Sequence, residues 1–215
     1  MAFFTEEQIK AIGFRHVGEN CLLSDKASYY NCNNIIIGNN VRIDDFCVLS
    51  AGMGGIEIGS HIHIAVYSSL IGAGKIVLKD FCNISSKVAI YSSNDDYSGQ
   101  FMTNPTVPSR YTNVTSSDVI VGKHVIIGSG SVILPGVTLE TGVAVGALSL
   151  VNKNCKEFGV YMGTPKKKIK DRKRDLLMLE IELKKEIIID INIYIYNNIS
   201  FMYRIVEVSF TTIDL

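Results

Sequence analysis

Aliphatic residues recur along this chain at a spacing of six. From Val121 the series runs Val121, Ile127, Ile133, Leu139, Val145 and Val151 without a gap. A small or aliphatic residue stands four places after most of them, at Val125, Ser131, Val137, Val143 and Ser149. The same phase holds upstream in three sets: Ile37, Ile43 and Leu49; Ile58, Ile64 and Leu70; Leu78, Ile84 and Ile90. Val17, Leu23 and Tyr29 open it more weakly. An amphipathic helix repeats at about 3.6 residues and a half-buried strand at two, so neither fits a period of six. A solenoid does. Each hexad supplies one short flat strand, three strands close a triangular coil, and stacked coils bury a continuous aliphatic column that no coil could bury alone.

Three stretches break the period: the glycine-rich segment Ser50–Glu57, a slip near Gly74, and a long run over 91–118 that holds Asp95, Asp96, Tyr97, Pro105, Pro108 and Arg110. A long loop inside a compact solenoid is commonly functional. The ends read differently. Thr5-Glu6-Glu7-Gln8 has the pattern of a capping box opening a short helix, so residues 1–16 are expected to cap the first coil. Residues 17–165 form the parallel β-helix with its inserted loop. Residues 166–215 form a helix and tail, with a charged amphipathic helix over Lys170–Glu186 and strand or hairpin beyond Ile187.

Composition narrows the chemistry. Lysine plus arginine equals aspartate plus glutamate at 21 each, so no basic footprint for nucleic acid is present. The N-terminal residues turn acidic at once and lack a long apolar run, unlike a signal peptide, and no apolar stretch is long enough to span a membrane as a helix. The five cysteines, Cys21, Cys32, Cys47, Cys82 and Cys155, are widely spaced without a CxxC pair, which reads as reduced thiols in a cytoplasmic protein.

The repeat, the long loop, and the run from Val125 through GSGSVILPGVTLETGVAVGALSLVNKN to the YMGTPKKKIKDR segment together resemble the hexapeptide-repeat acyltransferases. Within them the chain is similar to the maltose and galactoside acetyltransferases and their relatives in O-antigen and capsule gene clusters. The resemblance spans about residues 17 to 172 and implies a left-handed parallel β-helix, a homotrimer with active sites between chains, and acetyl-CoA as co-substrate without a metal. It implies a coenzyme groove along Ser129, Ala147 and Lys153, with Lys167 and Lys170 facing the coenzyme phosphates as point-charge partners. The acceptor it implies is a hydroxyl of a sugar, a glycoside or a polysaccharide precursor. The alternative is the amine of a nucleotide-linked amino sugar. Tyr97 and Arg110 are candidate acceptor contacts.

Transfer to a hydroxyl calls for a base, usually histidine. Where the maltose and galactoside enzymes carry theirs, this chain reads Asn94-Asp95-Asp96. Of the four histidines, His16 precedes the first full coil, His124 sits at a repeat corner, and His61 and His63 flank Ile62. His63 matches the histidine of the polysaccharide-cluster relatives and is the candidate base. Asp95 or Asp96 of a neighbouring subunit is expected to orient it. An amine acceptor, needing less help from a base, fits the missing loop histidine. A zinc enzyme of the γ-carbonic-anhydrase type and a non-catalytic scaffold are the competing classes. The spacing of His61, His63 and His124 does not match the former.

Overall fold

Each hexad becomes one short strand, and the strands stack into three parallel faces. The computed structural model describes residues 2–189. The first face holds His16–Val17, Ile35–Ile37, Ile56–Ile58, Ile76–Leu78, Val119–Val121 and Thr138–Leu139. The second holds Leu22–Leu23, Val41–Ile43, Ile62–Ile64, Asn83–Ile84, Ile126–Ile127, Ala144–Val145, Gly159–Met162 and Lys167–Asp171. The third holds Ser28–Tyr30, Val48–Ala51, Ser69–Gly72, Ala89–Tyr91, Val132–Ile133 and Leu150–Val151.

Register follows the repeat. Ile37, Ile58, Leu78, Val121 and Leu139 pair rung to rung on the first face. Leu23, Ile43, Ile64, Ile84, Ile127 and Val145 do so on the second, and Tyr29, Leu49, Leu70, Ile90, Ile133 and Val151 on the third. All but the opening Tyr29 are buried. A strand buried on one face alternates in and out, and three such faces closing on each other leave the aliphatic positions a single dry column.

Every departure from period six falls at one corner, between the third face and the first. The 3₁₀ turn Cys32–Asn34, the Gly52–Gly55 segment, Ala73–Gly74 and the long insert follow successive strands of the third face. Backbones stack closely there: a Cβ on Gly52 would lie 2.5 Å from the Ala73 Cα. The other two corners keep strict spacing, and each turns through a residue of positive φ. One carries His61, Phe81 and His124, whose rings stack at 4.8 and 5.1 Å. The other carries Phe46 and Tyr67, stacked at 5.0 Å, then Lys87, Gly130 and Leu148. Left-handed backbone is unfavourable for bulky residues, and stacking between rungs offsets part of that cost.

At the N-terminus the capping box forms as read. The Thr5 amide donates to Gln8 Oε1 at 2.8 Å and the Gln8 amide donates to Thr5 Oγ1, opening a helix over Glu6–Ile12. At the other end the structure corrects the expectation. Lys167–Asp171, part of which was read as helix from Lys170, is a strand antiparallel to Gly159–Met162. The last coil would otherwise present an open strand edge, and a lysine-rich strand covers it. The Arg172 guanidinium then donates to the carbonyls of His124 and Gly142 at 2.8 and 3.1 Å. The solenoid is one compact unit ending at Arg172, and a second begins at Lys173. In it a helix runs over 176–189, later than expected. The strand or hairpin expected after residue 189 lies outside the described residues.

Candidate active site

The two regular corners differ in how they use their backbone amides. At each, the first turn residue donates to the next coil. Between the second and third faces these residues are Ser24, Asp44, Ala65, Ser85, Gly128 and Gly146, with N···O distances of 2.8–3.0 Å. The second turn residue distinguishes the corners. Between the first and second faces, the amides of Glu19, Asn39 and Ser60 are taken by the side chains of Asn39, Ser60 and Asp80 on the next coil, and those of Asp80 and Thr141, further up, have no acceptor among the described residues. Between the second and third faces, the amides of Asp45, Val66, Ser86, Ser129 and Ala147 have no hydrogen-bond acceptor among the described residues. Ser129 and Ala147 are exposed as well. This corner is a column of unspent donors along the solenoid axis, fitted to the amide carbonyls of an extended ligand and to an oxyanion.

The lysines assigned to the coenzyme stand toward the C-terminal end of the same solenoid. Lys153 is exposed on the last coil, and Lys167 and Lys170 are exposed on the edge strand. Lys168 is bridged to Asp171, and Lys166 donates to the Asn154 carbonyl over the Tyr161 ring. None of the side-chain ammonium groups of Lys153, Lys167 and Lys170 forms an ion pair or hydrogen bond among the described residues. Free amides below and free cations above fit the pantetheine chain and phosphates of an acyl-CoA.

Lower on this side of the molecule lies a compact ionic cluster. His63 is the central residue of the strand Ile62–Ile64. Its neighbours point into the core, so its ring points out. The imidazole Nε2 lies 2.8 Å from Asp44 Oδ2, and Arg42 Nε donates to Asp44 Oδ1 at 2.7 Å. The Asp44 side chain is nearly buried while the His63 side chain is 42% exposed. Burial raises the Asp44 pKa, but the hydrogen bonds and charges of Arg42 and His63 outweigh it and hold the carboxyl below its ordinary value. The carboxylate can only accept, so His63 Nε2–H donates. Sequence reading passed over Asp44. It lies 19 positions before His63, and the signal available was the one-coil register that pairs Arg42 with His63.

The loop aspartates separate into two kinds. Asp96 accepts from the Ser98 amide at 2.9 Å, from Ser98 Oγ at 2.6 Å and from Asn113 Nδ2 at 3.4 Å, joining the two limbs of the insert. These donors, the Ser98 hydroxyl first, lower its pKa. Asp95 is exposed, has no hydrogen-bond partner among the described residues, and lines a recess of about 440 Å³ with Tyr91, Tyr97, Val114, Leu134 and Pro135. Tyr97 therefore shares the recess with Asp95. Arg110 stands elsewhere on the insert, its guanidinium 4.6 Å over the Tyr111 ring. Within one chain His63 belongs to the second face and the Asp95 recess follows the third. The carboxylate beside His63 in the chain is Asp44. His61 and His124 are committed to the stack on Phe81, and no group of three His, Cys, Asp or Glu side chains among the described residues could hold a metal ion.

No family model matches the chain. It is 58% identical over 190 residues to the dTDP-4-amino-4,6-dideoxy-D-glucose acyltransferase of Escherichia coli, covering 88% of this chain and 99% of that protein. The chain belongs to the hexapeptide-repeat sugar acyltransferases. AntD, an N-acyltransferase from Bacillus cereus solved in complex with dTDP and 3-hydroxybutyryl-CoA, superposes with a TM-score of 0.82 at 48% identity, covering 86% of this acyltransferase and 97% of AntD. A maltose O-acetyltransferase from Clostridium difficile 630 shares the fold at a TM-score of 0.52 and 22% identity. The solenoid is thus a left-handed β-helix, and the enzyme transfers an acyl group from a CoA thioester to a sugar.

Proposed function

We propose that this acyltransferase acylates the amine of a nucleotide-linked amino sugar, a dTDP-4-amino-4,6-dideoxyhexose being the first acceptor to test. The observation that carries the reading is the 58% identity, over nearly the whole of that relative, to an acyltransferase of this acceptor class. It displaces the sugar hydroxyl first expected from the sequence in favour of the amino-sugar alternative. Asp95 supports it: an unpartnered carboxylate in an open recess is a natural partner for an amine. Structures of AntD include variants at a serine and an aspartate, and Ser85 and Asp95 have the same separation in this chain, as do Ser86 and Asp96.

The acyl-CoA lies along the open corner, its thioester low on the column and its phosphates toward Lys153, Lys167 and Lys170. Asp95 and Tyr97 hold the acceptor. The amine nitrogen attacks the thioester carbonyl carbon, and the unspent amides of the corner, Ser86 and Ser129 among them, stabilise the oxyanion. His63 Nδ1 takes the proton the nitrogen sheds. The C–S bond then breaks, the amide forms, and the proton passes to the departing CoA sulfur. Acetyl is the donor group to test first.

His63 lies on the second face while the Asp95 recess follows the third, and on this reading the working enzyme is a homotrimer with one chain's insert laid against its neighbour's open corner. Exposed apolar side chains at that corner, Phe46, Tyr67 and Leu148, are what a neighbour would cover. The free cysteines suit the cytoplasm.

The test is product mass after incubation with acetyl-CoA or 3-hydroxybutyryl-CoA and either a dTDP-linked 4-amino sugar or its 4-hydroxy counterpart. Acylation of the amine alone is expected, with kcat/KM for the amine falling at least 10-fold in Asp95→Asn. Turnover of hydroxyl sugars only would sink the reading.

A further inference from the structure

We propose that Asp44 is a positioning residue of the acyltransferase: it holds the outward-facing imidazole of His63 in the Nε2–H tautomer and leaves Nδ1 as the bare, basic nitrogen. The proposal rests on the reading of His63 as proton acceptor.

The geometry makes the assignment. A carboxylate almost wholly removed from solvent sits at the turn directly after the strand Val41–Ile43, one coil before His63. Both its oxygens are engaged, Oδ1 by Arg42 Nε and Oδ2 by His63 Nε2. Arg42 and His63 are register partners on adjacent strands. Arg42 therefore fixes Asp44 from the strand that leads into its turn, and Asp44 fixes His63 on the next coil. On the far side the register partner of His63 is uncharged Asn83. The next carboxylate along the turn, Asp45, accepts from Ser24 Oγ at 2.5 Å and pairs with Lys26 at 3.8 Å. Arg42 and Asp44 are thus the charged groups that set the His63 environment.

A network meant only to tie coils together could bury all three groups. This one leaves the imidazole partly in solvent, with one nitrogen held and the other without a partner among the described residues, on the strand that leads into the Ala65–Val66 turn, whose Val66 amide belongs to the donor column. A buried carboxylate on one nitrogen fixes ring direction and tautomer, and it stabilises the imidazolium that forms when the other nitrogen takes a proton.

The experiment uses the full chain labelled with ¹⁵N-histidine. There are four histidines, so His63→Ala identifies the His63 signals. In wild type the shifts should show Nε2 protonated and Nδ1 bare at high pH. A wild-type spectrum with the proton on Nδ1 overturns the proposal without any variant. In Asp44→Asn the preference of the His63 proton for Nε2 should weaken, since Nε2–H loses its carboxylate acceptor. Its kcat should fall roughly 10- to 100-fold, less than the roughly 100- to 10,000-fold that the positioned base itself contributes, with KM for both substrates little changed. Asp44→Glu should recover part of kcat. If His63→Ala lowers kcat and a folded Asp44→Asn enzyme keeps both kcat and the His63 tautomer, Asp44 has no positioning role and the base assignment stands. If His63→Ala keeps full kcat, the base assignment itself fails and this proposal with it.

Discussion

At Asp44 two influences oppose each other. Burial favours the neutral acid, while Arg42 and His63 favour the anion, and the anion prevails. A carboxyl whose folded pKa lies below its unfolded value contributes stability above the unfolded value and loses it as pH falls through the folded one. The urea midpoint of wild type should therefore exceed that of Asp44→Asn by its full margin at pH 7. The margin should shrink below about pH 4, and a gap that widens on acidification would contradict the assignment. Core residues obey a simpler rule. Ile127 is completely buried in the aliphatic column, so Ile127→Ala should destabilise by about 2–5 kcal/mol, read as a lower urea midpoint. Gly72 illustrates a backbone constraint. Its φ of +146° and the closeness of a would-be Cβ to Ser92 leave no room for alanine, and the strand would have to shift away from the coil above.

Among elements, the insert and the edge strand make separable predictions. Asp96 ties the limbs of the insert through Ser98 and Asn113, whereas Asp95 faces the recess. Asp96→Ala should raise KM for the acceptor several-fold by loosening the loop, with kcat largely kept once acceptor is saturating. Asp95→Asn should lower kcat/KM with the loop unchanged. Equal effects from both would mean that the recess is not the acceptor site. On the edge strand, Lys167→Ala combined with Lys170→Ala should raise KM for acyl-CoA roughly three- to tenfold. The effect should be weaker in high salt, because exposed charges are screened. These contrasts show what the sequence could and could not display. The hexad phase of residues such as Ile64 and Ile127 was legible because burial imposes a period on the chain. Asp44 escaped because its partner lies one coil away, where nothing in the local pattern links them. Lys167–Asp171 escaped because an edge strand exposed along its whole length has no hydrophobic alternation to read. Asp95 and Asp96 are adjacent and identical in sequence, and only the three-dimensional course of the insert separates their duties.

For the molecule as a whole, the homotrimer reading predicts a solution mass close to three times the 23.7 kDa chain. On the same reading, in which one chain supplies the donor groove and its neighbour the acceptor recess, dilution that releases monomer should abolish activity. Chains ending at Arg172 should keep the melting behaviour of the solenoid, since the first compact unit closes there. The placement of every period-breaking segment at a single corner has a further consequence. Two edges of the prism are held to a fixed pitch by the pairing of each coil with the next, while the third tolerates additions of any length without disturbing that pitch. Variation among descendants of such a chain can therefore accumulate at one edge, and on the proposed reading it would retune which acceptor is admitted while the donor groove is inherited intact. An exchange of residues 92–117 between members of this lineage would be the equivalent of changing the bit in a drill.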